Sequence, residues 1–338
     1  MHNGDVLAVV SQSGPTVSFF DAITHRLLDV VEVPAEPHEL CFDADRRVLY
    51  CTTAYRSGYY HANSGRAREL TVIDADEHRI LDVVDLAPEH GPHGLALHDQ
   101  RLYVSVEVTE DRPGGVVVID TESRKPVDRI DTMAPGPHWF AITPDGRRGY
   151  TTNKEAPYVS VVDLENASLL ARVDVPGSEG LAVTPDGRHV CVATPYGDFA
   201  ADNRPETEIR MIDTTSNAVV RTLPLEHQVF PVHITSTGLL LAGQLVMSSS
   251  GGSALARQDT GRLTAFAPGT YEPLGALEVG RFPLTITSSP DGRRAYVSAV
   301  ASSTVTVVDL ENLERIAELP IDRRGEPGAH GLAYVPGR

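Results

Sequence analysis

Short runs of alternating apolar and polar residues fill the chain, and each run ends at a turn signal. The clearest examples are VSVVDLENASLLARVDV (159–175) and VTVVDLENLERIAELPI (305–321). In both, apolar residues recur at every second position, an Asp-led turn interrupts them, and a second run follows. A period of two places the apolar side chains on one face of a β-strand. The pattern therefore predicts an all-β protein built from strand–turn–strand units.

A second turn signal recurs ahead of these units. Its copies are TPDGRRGYTTN (143–153), TPDGRHVCVAT (184–194) and SPDGRRAYVSA (289–299), with a weaker copy, DADRRVLYCTT, at 43–53. Proline presets φ, aspartate caps the turn and glycine takes a positive φ, so Pro-Asp-Gly links two strands tightly. Together the signals give four strands, A to D, in a repeat of about 40–50 residues, which is typical of propeller blades.

The two ends of the sequence complement each other. Residues 5–33 hold strands B, C and D but no strand A, whereas residues 329–337 read as a strand A with nothing after it. Pairing the two segments completes one blade and removes a free sheet edge. We therefore predict a seven-bladed β-propeller closed by an N-/C-terminal strand clasp, in a single domain over residues 1–338.

These motifs resemble those of the YVTN-repeat β-propellers. The resemblance rests on GPHGLAL (91–97), the PDG turns and the V-x-V-[IV]-D strands, and it covers essentially the whole chain. Blade six, HITSTGLLLAGQLVMSSS from residue 233, departs from the pattern because it lacks the PDG turn. The resemblance implies the fold but no single activity, since lactonases, streptogramin lyases, electron-transfer proteins and binding platforms share the architecture.

A histidine precedes strand A in several blades. Strand A lines the channel of a propeller, so we expect this residue at the channel mouth, on the face that carries the B–C loops (the top face). The residues aligned there in blades one to five are His330, His38, His93, His138 and Glu179. Blade seven has Leu284, and blade six aligns Val232 at this position, with His233 one residue later.

Imidazole nitrogens suit zinc, copper, iron and nickel, and histidines combined with a carboxylate are the ligands of catalytic metal sites. We therefore predict one divalent transition metal on the four aligned histidines, iron or copper before manganese or zinc. Glu179 and His233 are the predicted catalytic residues, as further ligands, as partners that orient a ligand, or as a general base. A metal-free polar pocket and chance similarity among repeats are the alternatives.

Four long insertions fall between strands B and C, and therefore on the top face. They cover residues 54–69, 107–115, 194–208 and 244–261. Long loops on a rigid scaffold often carry function, and aromatic and cationic side chains suit a small organic substrate. Packing of the loops on themselves is the alternative. The predicted substrate-binding residues, with Lys154 and Glu155 nearby, are Tyr55, Tyr59, Tyr60, His61, Arg66, Glu107, Trp139, Asn153, Tyr196 and Arg204.

Composition narrows the partners and the location. The formal net charge of −17 argues against nucleic acid, whose phosphates an acidic surface repels. No apolar run is long enough to suggest a membrane span. The opening MHNGDVLAVV reads as a first strand rather than a signal peptide, which favours a cytoplasmic location. Cys41, Cys51 and Cys191 form no metal or redox motif, and we expect buried thiols.

The function predicted from these features is a metal-dependent enzyme, most simply an oxidoreductase, that acts on a small organic metabolite. A metal-assisted lyase, isomerase or lactone hydrolase comes second. The rival classes are a non-catalytic propeller that binds a ligand or a protein, and a metal-free enzyme that uses histidine and glutamate as acid and base. No nucleotide-binding or acyl-transfer motif is found. We expect a monomer with a small-molecule substrate.

Overall fold

The computed structural model of the chain describes residues 4–34, 36–57, 64–195, 207–247, 258–324 and 328–338. Within these ranges, twenty-eight β-strands form seven four-stranded sheets, and the fold is the predicted seven-bladed β-propeller. By its internal contacts the chain groups into unit 1 (Met1–Pro92, Met247–Leu263 and Gly275–Arg338) and unit 2 (His93–Val246 and Thr264–Leu274). The described residues contain no helix long and apolar enough to cross a membrane.

The strands follow one another blade by blade. Blade one has β1 (Val6–Ser11), β2 (Thr16–Asp21) and β3 (Leu27–Glu32), and blade two has β4 (Pro37–Asp43), β5 (Val48–Ser57), β6 (Ser64–Asp74) and β7 (Arg79–Asp85). Blades three and four have β8 (Leu95–His98), β9 (Arg101–Val106), β10 (Gly115–Asp120), β11 (Lys125–Asp131), β12 (Pro137–Ile142), β13 (Arg148–Asn153), β14 (Tyr158–Asp163) and β15 (Ser168–Asp174). Blades five and six have β16 (Leu181–Val183), β17 (His189–Thr194), β18 (Glu208–Asp213), β19 (Ala218–Pro224), β20 (Gln228–Ile234), β21 (Leu240–Leu245), β22 (Gly261–Phe266) and β23 (Pro273–Val279). Blade seven has β24 (Pro283–Ser288), β25 (Arg294–Ala299), β26 (Thr304–Asp309) and β27 (Glu314–Pro320), and β28 (Ala329–Val335) ends the series.

The strand clasp lies within unit 1, and it has the predicted form. The sheet of blade one runs in the order β28-β1-β2-β3, with Val6 opposite Val335 in an antiparallel register. The carboxylate of Asp5 secures the join, since it accepts hydrogen bonds from the Tyr334 hydroxyl and from the Gly337 N–H at 2.8 Å. Blade one is therefore completed by segments from opposite ends of the sequence.

Apolar side chains of neighbouring blades pack together inside each unit. In unit 1, Phe19 of blade one packs in one buried cluster with Leu49 and Ile73 of blade two. In unit 2, Tyr150 of blade four shares a cluster with Val192 of blade five. The burial of both faces of the inner strands explains why their sequences are apolar over several consecutive residues.

The PDG turns form as the sequence predicts. In the turn at 143–148 the Asp145 carboxylate accepts hydrogen bonds from the Thr143 hydroxyl at 2.6 Å and from the Arg147 N–H at 3.1 Å. Gly146 adopts φ +69°, a conformation that glycine takes without steric cost. Blade six replaces this turn with Thr-Ser-Thr-Gly, in which Thr235 accepts from the Gly238 N–H at 2.9 Å. A threonine-based turn therefore serves where the motif is missing.

The three cysteines carry free thiols, as expected from the sequence. Cys51 and Cys191 are buried, and Cys41 is half-buried. Burial raises the pKa of both Cys51 and Cys191 to about 12, which keeps these thiols protonated and unreactive at neutral pH.

Candidate functional site

A backbone irregularity positions the residue that precedes or opens strand A (the start position). Strand β4 pairs with β5 on either side of His38 and Glu39 but skips both residues. Strand β12 skips His138 and Trp139 in the same way. A bulge of this kind turns side chains away from the regular alternation of a strand. At these bulges the side chains do not follow the regular alternation between the two faces of the sheet.

Glycine follows several start positions because a neighbouring blade packs directly against it. A Cβ on Gly94 would lie 2.5 Å from the carbonyl oxygen of His138, and a Cβ on Gly331 would lie 2.5 Å from that of His38. Only glycine permits so close an approach of two backbones. The Gly94 N–H also donates to the His138 carbonyl oxygen at 3.0 Å. This contact fixes the backbone that carries the histidine.

Unit 1 contains a compact group of two histidines and one carboxylate, His38, Glu39 and His330 (the triad). The Glu39 Oε1 atom lies 3.1 Å from His330 Nδ1 and 3.6 Å from His38 Nδ1, and the two imidazole centroids are 4.2 Å apart. One ligand atom from each residue lies within 4.8 Å of the other two. All three side chains are buried. The triad can hold a metal ion.

The triad keeps Glu39 ionised. Burial alone would raise the pKa of this carboxyl group, but the charges and hydrogen bonds of His330 and His38 overcome that effect and lower its pKa to about 2. The Glu39 N–H donates to the Thr52 hydroxyl at 3.1 Å, which fixes the backbone beneath the carboxylate. An ionised carboxylate next to two imidazoles is a suitable ligand set for a cation.

Tyr55 and Arg66 belong to the same blade as His38. Tyr55 is buried in β5, and its ring meets the His38 ring edge-on at a centroid distance of 6.3 Å. Arg66 lies opposite Tyr55 in β6 and is exposed to solvent. Of these two predicted substrate-binding residues, the structure places Tyr55 against the triad and Arg66 at the surface of the hairpin.

In unit 2, His93 lies with Glu107 and Lys154, and these three residues are called the Lys154 group. The His93 Nε2 atom is 3.1 Å from Glu107 Oε1 and 3.3 Å from Lys154 Nζ. Lys154 Nζ is 3.5 Å from the same Glu107 oxygen. The side chain of Lys154 is 11% exposed and that of Glu107 12%. The group thus brings an imidazole, a carboxylate and an amine together in a partly buried position.

His138 forms a separate pair with Glu179 in unit 2. The distance from His138 Nδ1 to Glu179 Oε2 is 2.8 Å, and both side chains are buried. A carboxylate at one ring nitrogen selects the imidazole tautomer and fixes the orientation of the ring. The geometry agrees with the prediction that Glu179 lies next to a histidine, and its catalytic role stays a prediction.

Trp139 and Asn153 take part in the packing of blade four. Trp139 packs against the apolar cluster that contains Tyr150. The buried Asn153 amide donates to the Tyr158 carbonyl oxygen at 2.7 Å and to the Ser160 hydroxyl at 3.1 Å. Both side chains therefore have contacts inside the blade, and their predicted contacts with a substrate stay a prediction.

The register of blade six corrects the alignment made from sequence. Strand β20 pairs through Val229, skips two residues and resumes at Val232, so Phe230 occupies the start position. His233 lies three residues further along, opposite Leu241. Burial lowers the pKa of His233 to about 4, so this imidazole is neutral at physiological pH. The catalytic role assigned to His233 stays a prediction.

One aligned position and five predicted substrate-binding residues remain. Leu284, in β24, is buried and apolar, so blade seven contributes no ligand at its start position. Five predicted substrate-binding residues lie outside the described ranges, and they are Tyr59, Tyr60, His61, Tyr196 and Arg204.

Glu39 is a candidate ligand that the sequence alone did not reveal. It stands directly after His38, at the place where Gly94 and Gly331 follow His93 and His330. In the other two blades this position is a glycine that permits close packing. A carboxylate there marks Glu39 as unusual, and the difference is visible when the blades are aligned. Reading PHEL against PHGL and AHGL would have identified it.

Comparison with other sequences gives relatives without an assigned activity. No family model matches the chain. Two curated relatives, both the uncharacterized protein YncE, from Salmonella typhi and from Salmonella typhimurium strain LT2, are each 26% identical over 195 residues. The match covers 56% of this chain and 48% of each relative, so the chain spans about half the length of the curated relatives it matches.

Comparison with solved structures gives matches over most of the chain. A functionally unknown protein from Desulfotomaculum acetoxidans has a TM-score of 0.73 at 13% identity, covering 98% of this chain and 99% of its own. Kuenenia stuttgartiensis hydrazine synthase has 0.68 at 15%, covering 90% and 96%. Dihydro-heme d1 dehydrogenase NirN in complex with DHE has 0.62 at 14%, covering 97% and 74%. At these identities the likeness shows the fold alone, and the chain shares its propeller fold with these proteins.

Proposed function

We propose that this protein is a metal-dependent oxidoreductase that acts on a small organic molecule, with one divalent transition metal held by His38, Glu39 and His330. The observation that carries the proposal is the convergence of two imidazoles on one carboxylate oxygen, at 3.1 and 3.6 Å, in a buried position of unit 1. The sequence-based prediction that His93 and His138 add to the ligand set stays a prediction.

The donor set favours a redox metal. Two histidines and one carboxylate are the ligands of non-haem iron sites that leave coordination positions open for substrate. Such a metal, when bound, supplies one-electron chemistry or Lewis acidity. Iron is therefore the first choice and copper the second, with manganese and zinc after them.

The protein's own residues have defined tasks in this proposal. Glu39 supplies the negative charge that offsets the charge of the cation, and its pKa of about 2 keeps it ionised across the physiological range. Tyr55 contacts the His38 ring edge-on and forms part of the wall of the site. The buried setting excludes water and strengthens the electrostatic interactions of whatever is bound.

The structural relatives give limited support. Two of them are named as a synthase and a dehydrogenase, so propellers of this kind occur in enzymes. The triad, rather than this likeness, argues for redox chemistry. A metal-assisted lyase, isomerase or lactone hydrolase is the second candidate, and the same three ligands would serve it if the bound ion is zinc or manganese.

The direct test is elemental analysis of the protein, made without a histidine tag and reconstituted in turn with iron, copper, manganese and zinc. We expect about one tightly bound ion per chain in the wild type and loss of that ion in the His38→Ala/His330→Ala double variant. His98→Ala is the matched control, because His98 ends β8 in unit 2 and should leave the metal content unchanged. Failure of every ion to bind the wild type would overturn the metal proposal.

A second measurement separates the two reaction classes. Anaerobic protein loaded with ferrous iron is treated with nitric oxide and followed by electron paramagnetic resonance. An iron–nitrosyl signal in the wild type, absent from the double variant, would support an iron site with open positions. Selective retention of zinc over iron and copper would instead favour the Lewis-acid alternative and count against an oxidoreductase.

A further inference from the structure

Three buried side-chain oxygens of unit 1 have no hydrogen-bond partner among the residues that the structure describes. They are Oε1 of Gln12, directly after β1, Oγ1 of Thr53 in β5 and Oγ1 of Thr71 in β6. Thr53 and Thr71 are fully buried, and Gln12 is 2% exposed. A buried polar atom without a partner is costly, so each of these oxygens calls for an explanation, and a bound ligand is one.

The three side chains lie at the interface between blades one and two, and they are called the Gln12 group. Val10 and Cys51 pack across this interface in one buried apolar cluster. Gln12 follows Val10 by two residues and Thr53 follows Cys51 by two, so strand alternation places them on the same faces. Thr71 lies opposite Cys51 in the β5–β6 pair. The apolar interface therefore ends in polar side chains.

Gln12 lies next to both segments that carry the triad histidines. Its N–H donates to the carbonyl oxygen of Gly328, two residues before His330, at 2.9 Å. Its side-chain Nε2 donates to Oε2 of Glu36, two residues before His38, at 3.2 Å. Because an ionised carboxylate only accepts, the amide nitrogen faces Glu36 and the amide oxygen is left for another donor.

The equivalent hydroxyl groups of unit 2 have partners within the protein. Thr194 and Thr53 each lie opposite a glutamate in strand C of their blades, and the Thr194 hydroxyl donates to the Glu208 carbonyl oxygen at 2.9 Å. Ser160 takes the position of Thr71 in blade four and donates to a backbone carbonyl oxygen at 3.2 Å. Blade two thus leaves hydroxyl groups unbonded where blades four and five use them in the fold.

We propose that the Gln12 group is a binding subsite beside the triad for the hydroxyl groups of a small uncharged polyol. A hydroxyl group both donates and accepts, so it can donate to Gln12 Oε1 and accept from Thr53 or Thr71. A carbonyl group could not serve the amide oxygen, because both are acceptors. An ammonium group only donates, so it would leave the threonine hydrogens without an acceptor.

The neighbouring charges favour an uncharged ligand. Glu36 bonds to Gln12, and the Glu39 N–H donates to the hydroxyl of Thr52, the residue before Thr53. Two carboxylates therefore stand near the subsite, and they would repel a phosphorylated or carboxylated compound, most strongly where burial lowers the dielectric. The assignment of the polyol as the substrate rests on the proposed function, whereas its binding by the Gln12 group does not.

Nuclear magnetic resonance with glycerol as the probe tests the proposal. Glycerol is titrated into the ¹⁵N-labelled full-length protein, metal-free and loaded with zinc, and the Gln12 side-chain amide is assigned by its absence in Gln12→Met. We expect its signals to shift and saturate. The amide of Gln244, a buried glutamine of unit 2 bonded to Thr264, should not move. No saturable shift at Gln12 in either form would overturn the proposal.

The same titration separates the subsite from the metal site. A saturable shift in the metal-free protein supports the subsite even if no metal ion is retained, which would overturn the proposed function alone. Retention of a metal ion without any shift would overturn the subsite alone.

A matched pair of variants tests the role of Thr53. Thr53→Val replaces the hydroxyl with a methyl group and should weaken glycerol binding at least about tenfold, because a site built to bond a hydroxyl group loses one partner. Thr194→Val is the control and should leave the Kd for glycerol within about twofold of the wild-type value. An unchanged Kd in Thr53→Val would contradict the role of Thr53.

Glycerate tests the ligand class, because it differs from glycerol by a carboxylate. In the metal-free protein we expect glycerate to bind at least about tenfold more weakly than glycerol, owing to the repulsion from Glu36 and Glu39. Tighter binding of glycerate would contradict the uncharged class. Since the wild-type titration alone decides the main question, poor folding of a variant does not weaken the test.

Discussion

The two units surround the start-position histidines with different partners. In unit 1, His38 and His330 converge on one shared carboxylate, Glu39. In unit 2, each of the two start-position histidines has a carboxylate of its own, Glu107 for His93 and Glu179 for His138. A shared carboxylate brings three potential ligands together, as the proposed metal site requires, whereas a separate carboxylate contacts one imidazole alone.

The residue after the start position accounts for much of this difference. His93 and His330 precede a glycine, which allows the backbone of a neighbouring blade to approach. His38 precedes Glu39, so a charged side chain emerges where other blades have none. One substitution in a repeated motif is thus enough to turn a structural repeat into a candidate metal site.

The largest expected effect tests whether the two kinds of carboxylate differ. Glu39→Gln should lower the metal affinity by more than about 100-fold, because it removes the charged ligand, while Glu179→Gln should change it by less than about tenfold. Isothermal titration with ferrous iron under anaerobic conditions measures both. Glu208→Gln is the control, since Glu208 is buried and bonded to Arg210 rather than to a histidine. Equal losses in the Glu39 and Glu179 variants would erase the distinction.

The next effect concerns the buried imidazole of His233 in unit 2. The pKa of His233 is lowered by burial to about 4 in the folded protein, whereas an unfolded chain takes up the proton near pH 6.5. Stability should therefore fall as the pH drops from about 6.5 to 4, by up to about 3 kcal/mol from this residue.

Urea unfolding of the wild type and of His233→Gln at pH 7 and pH 4 measures this contribution. The variant should lose less stability than the wild type between the two pH values, because it has no imidazole to protonate in the unfolded state. Identical losses would show that His233 is accessible to protons in the folded protein.

A smaller effect tests, within unit 2, whether glycine is required after the start position because a neighbouring backbone packs against it. Gly94→Ala should destabilise the protein by about 1–3 kcal/mol, since its Cβ would collide with the backbone of His138. Gly136→Ala is the matched control, because its Cβ would only touch the Glu155 side chain at 3.7 Å. Thermal unfolding followed by circular dichroism compares them. Similar melting temperatures for the two variants would refute the steric explanation.

The smallest effect concerns the clasp in unit 1. Asp5→Asn weakens the hydrogen bonds to Tyr334 and Gly337 and should cost about 1 kcal/mol of stability. Asp163→Asn, in an exposed turn of unit 2, is the control. If denaturant midpoints show that both variants lose the same stability, the hydrogen bonds of Asp5 contribute no more to stability than those of an ordinary surface turn.

The fold was predictable from sequence because the same pattern of strands and turns recurs along the chain. The alternating strands recur in every blade and the PDG turn in three of them, so the repeat can be recognised even where one copy departs from it. Blade six shows the limit. Without the PDG turn as an anchor, the alignment placed Val232 rather than Phe230 at the start position, and the two-residue bulge accounts for the difference.

The site was predictable only in part, for a physical reason. Strand periodicity locates His38 and His330, since each follows from a backbone position. The role of Glu39 depends on a bulge that turns its side chain toward two imidazoles, and no local pattern states that geometry. The grouping of Lys154 with His93 and Glu107 likewise joins residues that are distant in sequence.

The clasp also sets an order of events during synthesis. The ribosome makes β1 near the start of the chain, whereas β28, which carries His330, comes more than three hundred residues later. Blade one is therefore incomplete until β28 has been synthesised. Contacts between segments so distant in sequence also form slowly. The third member of the triad, His330, joins His38 and Glu39 only when that strand docks. Under the proposed function, a nascent or C-terminally clipped chain would be unable to assemble the triad, so metal loading would follow completion of the fold.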